Sequence, residues 1–165
     1  MRVYMSLSTI ALGMLVGLLP AYGQDEQSIE LSEVPFEVLQ LAQGAVPVSL
    51  TKATVEVDSD GVLVYELSGE NAEGVQYEVD ITGEGEIREV EIEITEDEVP
   101  EVVKQALKTW VPDFQPTFIE RSQRPVPFEG TWYEFEGTSP QSPQELDVEI
   151  REDGQQILIQ ADLAG

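Results

Sequence analysis

The sequence contains neither cysteine nor histidine. Without cysteine there can be no disulfide, no thiol nucleophile and no acylated lipoprotein anchor. Without histidine there is no Ser-His triad, and the common zinc, copper and haem ligand sets are absent. An exported protein with no disulfides fits a bacterial envelope better than it fits the small stapled domains of animal secretions. Basic residues are also scarce, with 8 Lys and Arg against 33 Asp and Glu, for a net charge of −25 over 165 residues. Phosphate backbones and anionic membrane surfaces repel such a chain, which excludes nucleic-acid binding and peripheral lipid binding. The charge suits cationic partners, divalent metal cations, or simple solubility in salt.

What is present is enough for a core. Hydrophobic residues make up 41% of the chain, which argues against global disorder despite the charge. The longest apolar stretch lies at the N-terminus. Arg2 precedes an apolar run from about Leu7 to Leu19, Pro20 breaks it, and Ala21-Tyr22-Gly23 supplies a small-x-small cleavage pattern. This is the layout of a secretory signal peptide, expected over residues 1–23. The run is short for a membrane span, so no membrane association is expected after cleavage. The mature protein is expected to be periplasmic or secreted, with residues 24–31 as a linker.

The remainder carries an internal similarity. Glu33-Val34-Pro35 recurs as Glu98-Val99-Pro100, 65 positions later, and Val38, Gln40, Val46 and Pro47 match Val103, Gln105, Val111 and Pro112 at the same offset. Tyr65-Glu66-Leu67 recurs as Tyr133-Glu134-Phe135, and Tyr77-Glu78-Val79-Asp80-Ile81 as Leu146-Asp147-Val148-Glu149-Ile150, at slightly larger offsets that insertions in loops explain. Two modules are expected, over residues 32–95 and 96–163.

Each module opens with a helix pattern. Val99, Val102, Val103, Ala106, Leu107, Trp110 and Val111 form one apolar stripe, as do Val34, Val38, Leu41, Ala42, Ala45 and Val46. Trp110 is therefore expected in the core or between the modules. Ser32 and Asp97 are the expected N-caps, Pro35 and Pro100 fall in the first turns, and Pro47 and Pro112 end the helices. Strands follow. Val75, Tyr77, Val79 and Ile81 alternate with polar residues, as do Val90, Ile92 and Ile94, and then Leu146, Val148 and Ile150. Asp58-Ser59-Asp60-Gly61, Gly83-Glu84-Gly85 and Glu152-Asp153-Gly154 read as turns, and 122–130 and 138–144 as longer connections. The expected fold is α+β: two tandem modules, each a helix followed by an antiparallel meander, with the helix packed on one face of its sheet, the two meanders being either separate or one continuous sheet.

A signal segment followed by tandem helix-then-meander units resembles the PepSY and PepSY-like domains of bacterial envelope proteins, and in layout the tandem beta-lactamase inhibitor proteins. The helix stripes, the Glu-Val-Pro openings at Glu33 and Glu98, the strands at Tyr65 and Tyr133 and the Asp-Gly turns carry the resemblance. It implies a non-catalytic binding or inhibitory module, often associated with peptidases, that grips its target with the open sheet face. It supplies no catalytic residue and no cofactor. The missing cysteines separate this chain from those inhibitors, so their target does not transfer.

On that open face Glu56, Glu66, Glu78, Asp80, Glu89, Glu91, Glu93, Glu134, Glu136, Asp147 and Glu149 fall opposite the apolar positions. They form either a solvated face that resists aggregation or an anionic surface that steers a basic partner. Trp132 shares this side and is either a binding anchor or covered by a loop such as the preceding connection, 122–130. The expected partner-binding residues are Trp132, Glu66, Glu78, Asp80, Glu91, Glu134, Asp147 and Glu149, and the expected partner is another envelope or secreted protein. The alternative is a calcium-binding envelope protein without a dedicated protein target. No metal site is expected beyond the weak candidates Asp58 and Asp60, whose spacing suits a hairpin better than an EF-hand loop. Arg121 and Arg124, with Pro125 and Pro127, form a local basic spot that can contact acids of the other module. A carboxylate-pair hydrolase is disfavoured, because the acids alternate as a solvent face requires and none lies in an evident apolar pocket.

Overall fold

The computed structural model describes residues 26–58, 60–125 and 129–161. The signal segment, Ser59 of the first turn, Pro127 of the basic spot and the last residues of the second module lie outside the described residues. In chain order the elements are β1 (Gln27–Ile29), α1 (Phe36–Ala45), β2 (Lys52–Val57), β3 (Leu63–Glu70), β4 (Gln76–Thr82), β5 (Ile87–Glu93), α2 (Glu101–Trp110), β6 (Gln115–Arg124), β7 (Gly130–Thr138), β8 (Glu145–Arg151) and β9 (Ile157–Ala161).

The strands form one nine-stranded sheet in the order β1 to β9, every neighbouring pair antiparallel. This corrects the expected fold class. The chain is mainly β, with two helices on one nine-stranded sheet, and not two α+β helix-then-meander modules. The physical reason lies in the middle. Separate sheets would leave β5 and β6 with unpaired edges. Instead Val90, Glu91, Ile92 and Glu93 pair with Gln123, Ser122, Arg121 and Glu120. The strand β6 was hidden in the sequence because Pro116 and a bulge between Pro116 and Phe118 break its alternation, and because its last residues resemble a loop.

Each helix is preceded by a 3-10 turn, Leu31–Glu33 or Glu96–Glu98. Ser32 and Asp97 sit inside these turns and do not cap the helices, contrary to expectation. The turns are closed by capping boxes, in which the backbone N–H of Glu30 donates to Glu33 and that of Thr95 to Glu98, each at 2.9 Å. Pro35 and Pro100 then stand at the helix N-caps, where a missing N–H costs nothing.

The helices bury two clusters on one face of the sheet. Val38 and Ala42 of α1 pack with Leu67, Val79 and Ile81, and Val103 of α2 packs with Phe135, Val148 and Ile150. Trp110 stays out of both and is 40% exposed, so its expected place in the core is also corrected. It is the last residue of α2. Between the clusters a groove of about 400 Å³ opens over the sheet, lined by Tyr77, Val90, Ile92, Arg121 and Tyr133.

Two glycines fix how the chain passes from helix to sheet. A Cβ on Gly69 would lie 2.2 Å from the Ser49 carbonyl oxygen, and one on Gly137 would lie 2.2 Å from that of Gln115. Both oxygens are backbone and cannot swing aside. Gly44, in α1, has nothing within 4 Å of such an atom. Gly137→Ala is therefore expected to destabilise the protein by about 1–3 kcal/mol through overpacking. Gly44→Ala is expected to stabilise it by about 0.5–1 kcal/mol through helix propensity. Urea denaturation of the two variants beside the parent checks both signs.

Candidate functional site: the carboxylate face of the sheet

The alternation that sends Leu67, Val79, Phe135 and Val148 to the helices sends the acids to the other face. Register then lines them up across strands. Glu66 stands opposite Asp80 and Asp80 opposite Glu89. Glu78 faces Glu91, Glu91 faces Ser122, and Ser122 faces Trp132. Glu93 faces Glu120, Glu120 faces Glu134, and Glu134 faces Glu149. Glu136 faces Asp147. Like charges directly opposite one another are unfavourable, so this face carries an electrostatic cost unless something compensates it.

Part of the compensation is Arg124. Its guanidinium donates to Glu149 at 2.6 Å, to Glu134 at 2.9 Å and to Glu89. Ser122, fully buried, also donates to Glu89. The guanidinium lies 5.0 Å from the centre of the Trp132 ring, a cation–π contact. Trp132 does lie on the open side, but it is only 3% exposed and forms the floor under Arg124. Glu89 comes from the first expected module and Arg124 from the second, so the ion cluster ties the two halves of the sheet together.

The acids are far less exposed than alternation alone implies, because long side chains on neighbouring strands cover one another. Burial is the largest cause in every case that follows. It pushes Glu66 and Glu120 up to about 8, and Glu78 and Asp147 up to about 7, with neighbouring carboxylates adding to it. Asp80 and Glu91 are held well above the ordinary carboxylate range by burial and then by Glu78 and Glu134 respectively. Burial and then the Glu134 carboxylate raise Glu89 although Arg124 opposes them. Glu149 is raised by burial, again against Arg124. Glu56 and Glu136 are raised by burial at the margin of the patch.

The expected site residues Glu66, Glu78, Asp80, Glu91, Glu134, Asp147 and Glu149 thus share one surface with Trp132. Asp58 and Asp60 stand apart in the β2–β3 hairpin. There the Asp60 carboxylate accepts the Val62 N–H at 3.0 Å and pairs with Arg88 at 3.1 Å. Sequence reasoning missed Glu120 and Ser122, whereas its expectation that Arg124 contacts acids of the other module is met at Glu89. The same-face spacing of Glu120, Ser122 and Arg124 was the available signal. The argument that no acid has a perturbed environment also fails, since burial on this face perturbs most of them.

The fold and this face define a class: a helix-backed antiparallel sheet with an ionisable open face. Residues 37–95 match the PepSY family, the peptidase propeptide and YPEB domain. No curated protein matches the sequence. Among solved structures, the chain is similar to a DUF2874 family protein from Bacteroides uniformis, with a TM-score of 0.56 at 15% identity over 77% of this chain and 88% of that one. A protein of Bacteroides eggerthii assigned to the periplasm gives 0.58 at 15% identity, over 80% and 93%. A DUF2874 family protein from Bacteroides ovatus gives 0.57 at 11% identity, over 79% and 93%. At these identities the likeness is one of fold. Among the described residues no helix is long and apolar enough to cross a membrane.

Two predictions follow from the ion cluster. In the unfolded chain the glutamates ionise near 4.5, whereas in the folded chain Glu66, Glu78 and Glu120 ionise near 7 to 8. The folded state therefore holds more protons in that window. Its stability is greatest below about pH 4.5 and declines as pH rises through about 8. Melting temperature measured across this range is expected to fall, and a rise would contradict the assignment. Arg124→Met leaves Glu89, Glu134 and Glu149 without their cation. At about pH 8 it is expected to cost about 3–5 kcal/mol, and clearly less at about pH 5, where Glu89 and Glu149, both raised by burial, hold protons more readily. Chemical denaturation at the two pH values reads the difference.

Proposed function

We propose that the protein is an exported, non-catalytic binding module, periplasmic or secreted, that uses the carboxylate face of its sheet to hold a basic surface of another envelope or secreted protein. A peptidase is the first partner to test. One observation carries this reading: both helices pack on the same face of a nine-stranded sheet, leaving the opposite face lined with acids from β2 to β8. Such a face attracts cationic partners over distance, and a partner that desolvates it regains the missing positive charge. The PepSY match over residues 37–95 and the periplasmic assignment of one structural neighbour support the class and the compartment. Glu66, Glu78, Asp80, Glu91, Glu134, Asp147 and Glu149 are the proposed contact surface, with Trp132 holding Arg124 beneath it. The raised carboxyls by themselves would suit acid–base catalysis, but of the proposed contact acids Glu91 alone borders the groove, whose other lining comes mainly from the helix-covered face.

The test is affinity capture from envelope and secreted fractions with the mature chain as bait, beside a Glu93→Lys/Glu136→Lys bait that reverses charge at the more accessible margin. A peptidase held by the parent, released by salt and lost by the variant is the expected result. Identical captures by both baits, or a partner that survives high salt, would sink the reading.

A further inference from the structure

We propose that Glu78, Asp80 and Glu91 form a binding site for a hard divalent cation, calcium in the first place. Glu78 and Asp80 are same-face neighbours on β4, and Glu91 stands directly opposite Glu78 on β5. One carboxylate oxygen from each lies within 4.8 Å of the other two. Oxygens bound to one calcium at about 2.3–2.6 Å can be up to about 5 Å apart, so a single ion spans this set. The donors are all oxygen, which selects a hard ion over zinc or copper.

Proximity of acids alone would not make a site. The second observation is that Glu91 is buried, at 6% exposure, yet its carboxylate accepts no hydrogen bond and joins no ion pair among the described residues. Asp80 repeats the pattern, with Oδ1 sealed from solvent and no donor in reach. Buried polar atoms are nearly always partnered, and Asp80 Oδ1 is not. A neighbouring trio makes the contrast. Glu89, Glu91 and Glu134 are equally close together, but Glu89 and Glu134 already share the Arg124 guanidinium. Among the described residues Glu78, Asp80 and Glu91 form no ion pair, and a bound cation would supply both the charge and the missing partner for Asp80 Oδ1.

The inference does not rest on a protein partner and is tested without one. Calcium chloride is titrated calorimetrically into the whole mature protein at constant ionic strength, with magnesium chloride as comparison. The parent, Glu91→Gln, Asp80→Asn and, as control, the exposed acid Glu136→Gln are compared. One ion per chain is expected, with a dissociation constant of about 10⁻⁴–10⁻³ M as in extracellular calcium modules, weakened at least about tenfold in the first two variants and unchanged in the control. Calcium should also raise the melting temperature of the parent and of the control but not of Glu91→Gln. Glu91→Gln removes a carboxyl whose ionisation burial opposes, so it should fold at least as well as the parent without calcium. The melting curve establishes this before binding is judged. No saturable heat from the parent, equal binding by Glu91→Gln, or weak multi-site binding that Glu136→Gln loses equally would overturn the proposal and leave shared protons as what stabilises the trio.

Discussion

Every residue on this sheet depends on strand register. Side chains alternate with a period of two, so a slip of one residue would carry Glu78, Asp80 and Glu91 into the helix-covered core and push Leu67 and Val79 into water. The pairing from Thr54 through Glu66 and Asp80 to Glu89, and from Glu78 through Glu91 to Ser122, is held only because the opposite face is apolar and covered. At one place the phase needs correction. The irregularity between Asp80 and Ile81 keeps Ile81 and Ile87 on the helix side while Glu89 and Glu91 stay with the acids. The hydrophobic clusters under α1 and α2 are thus what position the carboxylates, and they do so against electrostatic resistance.

That resistance is the chemical character of the protein. The face opposite the helices collects acids from successive strands and compensates three of them with a central guanidinium, that of Arg124, stacked on Trp132. Glu66, Glu78, Asp80, Glu91, Glu120 and Asp147 are kept from ionising freely by their own burial. A surface in this condition responds to anything that brings positive charge: protons, a divalent ion, or a basic partner. These agents act on the same groups, so calcium at β4 and β5 and a basic protein across the patch would be expected to compete for charge.

Much of the fold was legible one element at a time. The helix stripes around Val38 and Val103 and the alternation in β4, β5 and β8 needed only period counting. The turns at Gly61, Gly85 and Gly154 sit at positive φ, as their residues suggest. Gly69 and Gly137 share the offset of Tyr65 and Tyr133, a signal that could have marked the close passage of each chain segment behind them. What was not legible was β6, where a proline and a bulge interrupt the alternation, and the continuity of the sheet across β5 and β6. The 3-10 turns before the helices displaced the expected caps by a few residues for a similar reason: a capping box can close either kind of turn.

By itself, the sequence determined which residues could share a face, because alternation and helical spacing are properties of the local chain. It also set the composition of the open face, with its surplus of acids and no histidine or cysteine. Only the tertiary structure decided that two helix-led segments share one sheet, since that depends on whether the edge of β5 finds a partner in β6. It alone placed Arg124 from the second half beside Glu89 from the first, and left Glu91 buried without a donor. Burial, and with it the chemistry of a carboxylate, comes from neighbours distant in sequence.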